Sequence, residues 1–482
     1  MTLISDRNQV NDALDSFGVL PEWLAAGMRA ERVAGSLRDA VPEFRSGAAT
    51  LVECQPERLR AKDGEWIARY RLRVASPDGR ERDVVLVGNL VAPSQPAPPG
   101  VAPGVQGVAL GQGAWSVWLP DLRLHLHHEE TDVALPALPL LTEPDAVAAL
   151  LEPVVRQAGH PEATITSCDP VVVRYKPGSR CTVVVGVEYA ATPGPRPPSP
   201  VVLKTHQGDK GQTAWAAMTA LWERPAAWRG IVEMAQPLAF LPEERILVQG
   251  PIGEELTLKE LARQAFAGGD PELLARLRIE LARTGRALAA LHGSGAAYGR
   301  TATLEDEVAE IREVLDRLEL TIPEIEGAAE PLLSRLEEVA QRHPADPVVP
   351  AHHDFRPAQV LLNHGRIGFI DFDGASMAEP ALDLGRFMAK LRDIGISSLL
   401  FTGQPLAGAP LGEHLALMDS LCEEFLSAYE RHATVSRERV LLWETCDLLT
   451  GLLHAWTKVR LLRVEPRLAV LQHHLGSSGL AS

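Results

Sequence analysis

The side chains best suited to chemistry are concentrated between Val349 and Leu391, in VPAHHDFRPAQVLLNHGRIGFIDFDGASMAEPALDLGRFMAKL. Asp354 and Gln359 precede one apolar run, Asn363-His364-Gly365 marks a turn, and Asp371 and Asp373 close a second apolar run. Folded as a hairpin of strands Gln359–Leu362 and Arg366–Ile370, the segment brings the oxygens of Asp354, Gln359 and Asp371 to one end. Clustered hard oxygen donors suit Mg²⁺, which takes few protein ligands and shares phosphates. A carboxylate placed like Asp354 can accept a hydroxyl proton. The plain alternative is a helix–hairpin insert whose acids are merely solvated.

These residues need elements to hold them. Strands are expected at Glu65–Val74 and Thr182–Tyr189, where β-branched and aromatic residues alternate with polar ones. Beyond about Leu256 the chain reads as helical, apart from the β-like insert at Val360–Phe372. Two Pro/Gly-rich stretches, Val91–Gly107 and Ala191–Pro200, each come after a strand-like run and read as loops within a series of strands.

The first 150 residues resemble the stretch directly after them. With Ala49 set on Ala163, ATLVECQPERLRAKDG lies over ATITSCDPVVVRYKPG without a gap. Cys54, Pro56, Arg60, Lys62 and Gly64 then meet their own types, and Val33, Leu37 and Val41 fall on Val147, Leu151 and Val155. DVVLVG (Asp83–Gly88) lies over PVVLKT (Pro200–Thr205) after a small change of length. This reads as duplication of a helix-plus-hairpin unit, with chance similarity of two amphipathic hairpins as the alternative. Val87 stands where the second copy has Lys204. A buried strand lysine is costly without a negative partner, so only the second copy is expected to hold an anion.

With 482 residues and 46% hydrophobic content, the chain has about three domains' worth of sequence. That excludes disorder and a disulfide-stapled miniprotein as whole-chain descriptions. The five cysteines form no CxxC pair, which points to buried thiols in a reducing compartment and no zinc site. MTLISDRNQV has neither a basic n-region nor an apolar h-region, so no signal peptide is expected, and no apolar run is long enough to span a membrane. A net charge of −16 repels a phosphate backbone, so nucleic acid is not an expected partner. A soluble cytoplasmic protein is the expectation.

LHLHHEE (Leu124–Glu130) reads as a surface edge strand, since His125, His127 and His128 cannot all face one way for a metal. Trp215, Trp222, Trp443 and Trp456 fall in helical segments and read as core or pocket walls, and His292 as a packing and capping residue.

The Val349–Leu391 segment resembles the catalytic core of the aminoglycoside phosphotransferase and choline kinase group, through His352, Asp354, Gln359, Asp371, Asp373 and Asp383. The resemblance implies an α+β, bilobal, protein-kinase-like fold with a β-rich N-lobe and a helical C-lobe. It implies ATP or GTP as phosphate donor, Mg²⁺, and a hydroxyl on a small molecule as acceptor. Asp354 would be the catalytic base or the acid that orients the hydroxyl, His352 would brace its loop, Asp371 and Gln359 would hold the metal, and Asp383 would be a structural acid. Gln359 departs from the usual Asn, keeping the same carbonyl donor one methylene further out.

Upstream, the resemblance places the nucleotide loop at Lys176, Gly178, Ser179 and Arg180, whose backbone N–H groups and bases can cradle phosphates; an ordinary hairpin is the other reading. Lys204 would pair with the α/β-phosphates. Glu223 is its expected acidic partner, against a solvated terminal acid, because the helix Gly211–Trp222 contains no acid. Gln249 and Pro251 would meet the nucleotide base at a hinge. The expected division is 1–142 as an N-terminal domain resembling a degenerate N-lobe duplicate, 143–252 as N-lobe and 253–482 as C-lobe. A nucleotide-binding pseudokinase and a nucleotidyl transferase on the same fold are the alternatives.

Overall fold

The computed structural model describes residues 3–480 except 63–64, 97–103, 107–109, 111–114, 129–134, 177–178, 192–193, 226–227 and 403–407. The chain forms two compact units, each assembled from separated stretches. The first comprises Met1–Thr131, Glu305–Glu338 and Leu448–Ser482; the second comprises Asp132–Leu304 and Val339–Asp447. No helix among the described residues is long and apolar enough to cross a membrane. All five cysteines are buried free thiols.

In the first unit, β1 (Thr50–Lys62), β2 (Glu65–Ala75), β3 (Glu81–Leu90), β4 (Gly104–Gln106), β5 (Ser116–Leu119) and β6 (Leu124–His128) form an antiparallel sheet ordered β1-β2-β3-β6-β5-β4. Alternation along β2 and β3 buries Trp66, Ala68, Tyr70, Leu72, Val84 and Leu86 on one face. The helix Ala30–Ala40 offers Val33, Ala34 and Leu37 at helical spacing, all buried. Residues far along the chain complete this core. Trp456 packs edge-on against Phe17 at 5.5 Å and donates its indole N–H to the Phe17 carbonyl at 2.9 Å, while Trp66 donates to Thr321 Oγ1 at 3.2 Å.

The histidine-rich strand corrects one expectation. β6 is not an edge: β3 pairs with one side of it and β5 with the other. Both partners are set by the topology of the whole sheet, which a local pattern does not reveal.

The second unit contains β7 (Ile165–Lys176), β8 (Arg180–Tyr189), β9 (Val201–His206), β10 (Glu233–Met234), β11 (Pro237–Leu241) and β12 (Ile246–Gln249). Five of these form a sheet ordered β7-β8-β9-β12-β11. Replacing β7, β8, β9, β12 and β11 by β1, β2, β3, β6 and β5 reproduces the order of the first sheet. The helix Pro144–Gln157 precedes β7 as Ala30–Ala40 precedes β1, and both first hairpins slip register at the same aligned place, Leu51/Glu53 and Ile165/Ser167. One element differs. The helix Lys210–Trp222 lies between β9 and β11, whereas no helix is found between β3 and β5 among the described residues.

A small sheet, β10 with β13 (Leu256–Thr257), β15 (Val360–Asn363) and β16 (Arg366–Phe369), carries the hairpin expected at 359–370. The strands β14 (Val349–Ala351) and β17 (Ser376–Ala378) pair antiparallel and bracket it in sequence. Long helices make up most of the rest of the unit. Helix Ala381–Thr402 crosses helix Arg437–Thr457 so closely that a Cβ on Gly385 would lie 2.5 Å from the Glu444 nitrogen.

Candidate active site

Four elements of the second unit converge on one cluster. Strand period puts Lys204 and His206 on the same face of β9, and register sets Arg180, the first residue of β8, opposite His206. From the hairpin side, Asp371 and Asp373 come after β16, and Asp354 and Gln359 precede β15.

Lys204 Nζ lies 3.3 Å from Asp371 Oδ1. Arg180 Nη1 spans both acids, 3.1 Å from Asp371 Oδ2 and 3.3 Å from Asp373 Oδ2. His206 Nε2 is 2.8 Å from Asp373 Oδ2. The Gln359 amide donates to Asp371 Oδ2 at 3.1 Å and lies 3.4 Å from Asp354 Oδ2, so it links the expected base to the expected metal ligand. Arg356 Nη2 sits 3.0 Å from Asp354 Oδ2.

The electrostatics are set by burial and neighbours. Burial alone would push the Asp371 carboxyl up, but the Lys204 and Arg180 charges and a hydrogen bond with Asp373 outweigh it, and the group lies far below the usual carboxylate range. Arg174, near the end of β7, is held below its ordinary value by burial and by the Arg180 charge, with Asp371, Asp373 and Arg356 also in its field. Asp371 adopts φ +74°, a left-handed conformation uncommon for a residue with a Cβ, and His353 adopts φ +68°. Such strain persists where the surroundings over-determine it.

Those surroundings centre on Asp383, which is fully buried. Its two oxygens accept the backbone N–H groups of His352 and His353, each at 2.7 Å, fixing the loop that carries Asp354. His292 Nε2 lies 3.1 Å from Asp383 Oδ2, and its Nδ1 lies 3.0 Å from the Tyr429 hydroxyl. Burial raises the Asp383 carboxyl, and the His292 contact and the His352 backbone bond overcome this to leave it lowered. His352 is itself buried, donates from Nε2 to the Ile370 carbonyl at 2.9 Å, and packs on Phe372 and Phe355. Arg386 joins the His353 carbonyl to Asp447.

In the expected nucleotide loop, Ser179 donates its N–H to the Lys176 carbonyl at 3.1 Å, and Lys176 pairs with Arg180 across the hairpin; Gly178 falls outside the described residues. At the expected hinge, Gln249 is buried on β12, opposite Val202 of β9, and Pro251 is exposed just beyond it. Gly253 lies against the Asn363 side chain, whose Nδ2 would be 2.0 Å from a Cβ there and would have to turn aside for any larger residue. Glu223 is exposed at the far end of helix Lys210–Trp222, and the carboxylate beside Lys204 belongs to Asp371. Arg174, His206 and Arg356 had no role in the reading of the sequence. His206 had a readable signal, two residues after Lys204 on one strand.

Asp373 Oδ1 is buried with no hydrogen-bond partner, on a residue in contact with Asp371. The two carboxylates are hard oxygen donors and fit a divalent cation such as Mg²⁺, which Gln359 would join through its carbonyl oxygen with the amide turned from its present N–H contacts.

Residues 192–403 match the profile of the phosphotransferase enzyme family. The match spans Lys204, Asp354, Gln359, Asp371 and Asp383 and bears out the family resemblance of the Val349–Leu391 segment. No curated protein sequence matches the chain. Among solved structures, a choline/ethanolamine kinase family protein from Mesorhizobium loti is 18% identical, covered over 68% of this chain and 93% of its own, with a TM-score of 0.42. A glucosamine kinase is 17% identical over 95% and 99%, with a TM-score of 0.47. A choline kinase from Streptococcus pneumoniae is 16% identical over 69% and 99%, with a TM-score of 0.41.

Proposed function

We propose that this chain is a small-molecule kinase of the phosphotransferase family that moves the γ-phosphoryl of ATP or GTP to an acceptor hydroxyl. The acceptor is an aminoglycoside, a sugar, a choline-like compound or another alcohol. The observation carrying this reading is the Gln359 amide set between Asp354 and Asp371, with Lys204 on the far side of Asp371. Base, metal donors and phosphate-binding cation thus form one connected group.

Asp354 orients the acceptor hydroxyl and takes its proton as the oxygen attacks. Lys204, Arg180 and the Lys176–Arg180 hairpin bind the triphosphate oxygens, exchanging carboxylate partners for phosphate. Gln359 and Asp371 would hold Mg²⁺, with Asp373 beside them, and the ion supplies charge neutralisation at the β- and γ-oxygens. Asp383 and His352 keep the loop in place, which matters because phosphoryl transfer depends mostly on positioning and charge. We also propose that the N-terminal unit is a duplicated N-lobe that has lost this chemistry, given its matching strand order, Val87 in place of Lys204 and no helix between β3 and β5 among the described residues.

The pseudokinase reading draws support from the acid-free helix Lys210–Trp222, which leaves Lys204 beside Asp371. An acceptor screen with ATP–Mg²⁺ and GTP–Mg²⁺, read by nucleotide product, separates the readings. ADP or GDP release dependent on Asp354 is expected. AMP with pyrophosphate indicates nucleotidyl transfer, and nucleotide binding without turnover on any acceptor indicates a scaffold.

A further inference from the structure

The first unit contains a cavity of about 310 Å³ at the turn end of the β1–β2 hairpin. Arg60 and Lys62 from β1, Arg317 from helix Leu304–Glu319, and His454 and Lys458 at the end of helix Arg437–Thr457 supply its bases. Trp66 and Leu318 give it an apolar floor. Among the described residues Glu65 is the one acid in its lining, and its Oε2 accepts a hydrogen bond from Asn89 Nδ2 at 2.9 Å. Arg317 has a solvent-exposed contact to Glu313, at 3.8 Å. In a chain of net charge −16, this concentration of bases in one concavity is anomalous.

Two further observations point to an anion. The chain leaving the cavity stays basic, with Lys458, Arg460, Arg463 and Arg467 against Glu465 alone between 458 and 467. Burial and the Arg463 and Arg467 charges hold Arg460 below its ordinary value, as a net positive field does. The bases on β1 also repeat those of the hairpin proposed above to bind phosphate, an argument that rests on that reading. Arg60 and Lys62 align with Arg174 and Lys176 of the β7–β8 hairpin, in sheets of matching strand order.

We propose that this cavity is a second binding site, separate from the catalytic cluster, for a small phosphomonoester of about sugar size. Arginine and lysine side chains gathered around one concavity bind phosphate by charge and hydrogen bonds, and the floor of Trp66 and Leu318 suits the non-polar face of a compact body. A nucleoside triphosphate suits it poorly, because Val87 replaces the strand lysine and Glu65 is a lone carboxylate in the lining among the described residues. The volume is at the small end of ligand pockets.

The test is thermal-shift titration of the full chain without Mg²⁺, using glucose 6-phosphate, inorganic phosphate, glucose and ATP as probes. A saturable rise with glucose 6-phosphate is expected, a weaker one with phosphate and none with glucose. In the double variant R317E/K458E the apparent Kd for glucose 6-phosphate rises about tenfold or more, while the shift with ADP–Mg²⁺ persists. The neutralising singles R317Q and K458Q guard against misfolding and are expected to weaken binding by smaller factors. An unchanged Kd in all three variants, no wild-type response at millimolar glucose 6-phosphate, or an equal response to glucose overturns the proposal. Loss of the ADP–Mg²⁺ response in wild-type protein would instead count against the kinase reading, leaving this site to stand on its own result.

Discussion

Asp383→Asn removes one charge from the centre of the loop-holding network with almost no change in volume. In the wild type, both carboxylate oxygens face backbone donors, His352 N–H and His353 N–H, at 2.7 Å, and His292 adds a third contact. Asparagine has one acceptor oxygen, so its amide nitrogen must face an N–H donor. One charge-assisted bond, worth about 1.5–3 kcal/mol, is lost, and one buried donor is left unsatisfied at about 1–3 kcal/mol. Easier burial of the neutral side chain offsets part of this, leaving a net loss of about 2–5 kcal/mol. For the roughly 280 residues of the second unit, an unfolding entropy of about 2.1 cal/mol/K per residue converts that loss to about 3–8 °C in Tm. Calorimetry at neutral pH measures it directly. A variant melting within about 1 °C of wild type would refute the claim that Asp383 fixes this loop through both oxygens.

The same cluster carries further expectations. Asp354→Asn is expected to lower turnover about a hundredfold or more while ADP–Mg²⁺ binding, measured by thermal shift, changes little. Lys204→Met leaves Asp371 with fewer cations, so the carboxyl rises toward its ordinary range, and nucleotide affinity falls by about tenfold or more in the same titration. Gln359→Leu strips Asp371 of its amide neighbour and is expected to raise the Mg²⁺ concentration needed for nucleotide binding, with Gln359→Asn intermediate. Burial and the Arg386 charge lower His353 from 6.5 to about 4, so between those values the unfolded chain binds more protons than the folded one. Stability present above about pH 6.5 therefore falls as pH drops toward 4, by at most roughly 3 kcal/mol, and His353→Gln should flatten that part of a Tm-against-pH curve.

The half of the site that is local in sequence was legible from the residues alone. Asp354, Gln359 and Asp371 sit within eighteen residues, and the turn between two apolar runs forces them to one end of a hairpin. The β7–β8 and β15–β16 hairpins were equally legible, since each needs only alternation and a turn residue. What faces the acids was not. Arg180 reaches Asp371 across 191 residues of chain, and His206 reaches Asp373 from a strand whose sheet neighbours no local pattern names. The same limit made LHLHHEE look like an edge, because its two pairing strands are fixed by the whole sheet. Glu223 illustrates the opposite failure: the nearest helix offered an acid for Lys204, while the fold draws the lysine to the hairpin.

The first unit's assembly from three separated stretches bears on how the molecule is made. Phe17 and its partner Trp456 are 439 residues apart, and Asp15 meets Gln472 across 457. The sheet leaves the ribosome well before the residues that close its core, and the intervening chain must be looped out meanwhile at a modest entropic cost. The N-terminal 131 residues thus cannot be excised as a free-standing module, because their core is completed by segments 305–338 and 448–482. Dissecting the protein calls for circular permutation that joins these stretches, rather than truncation at either end.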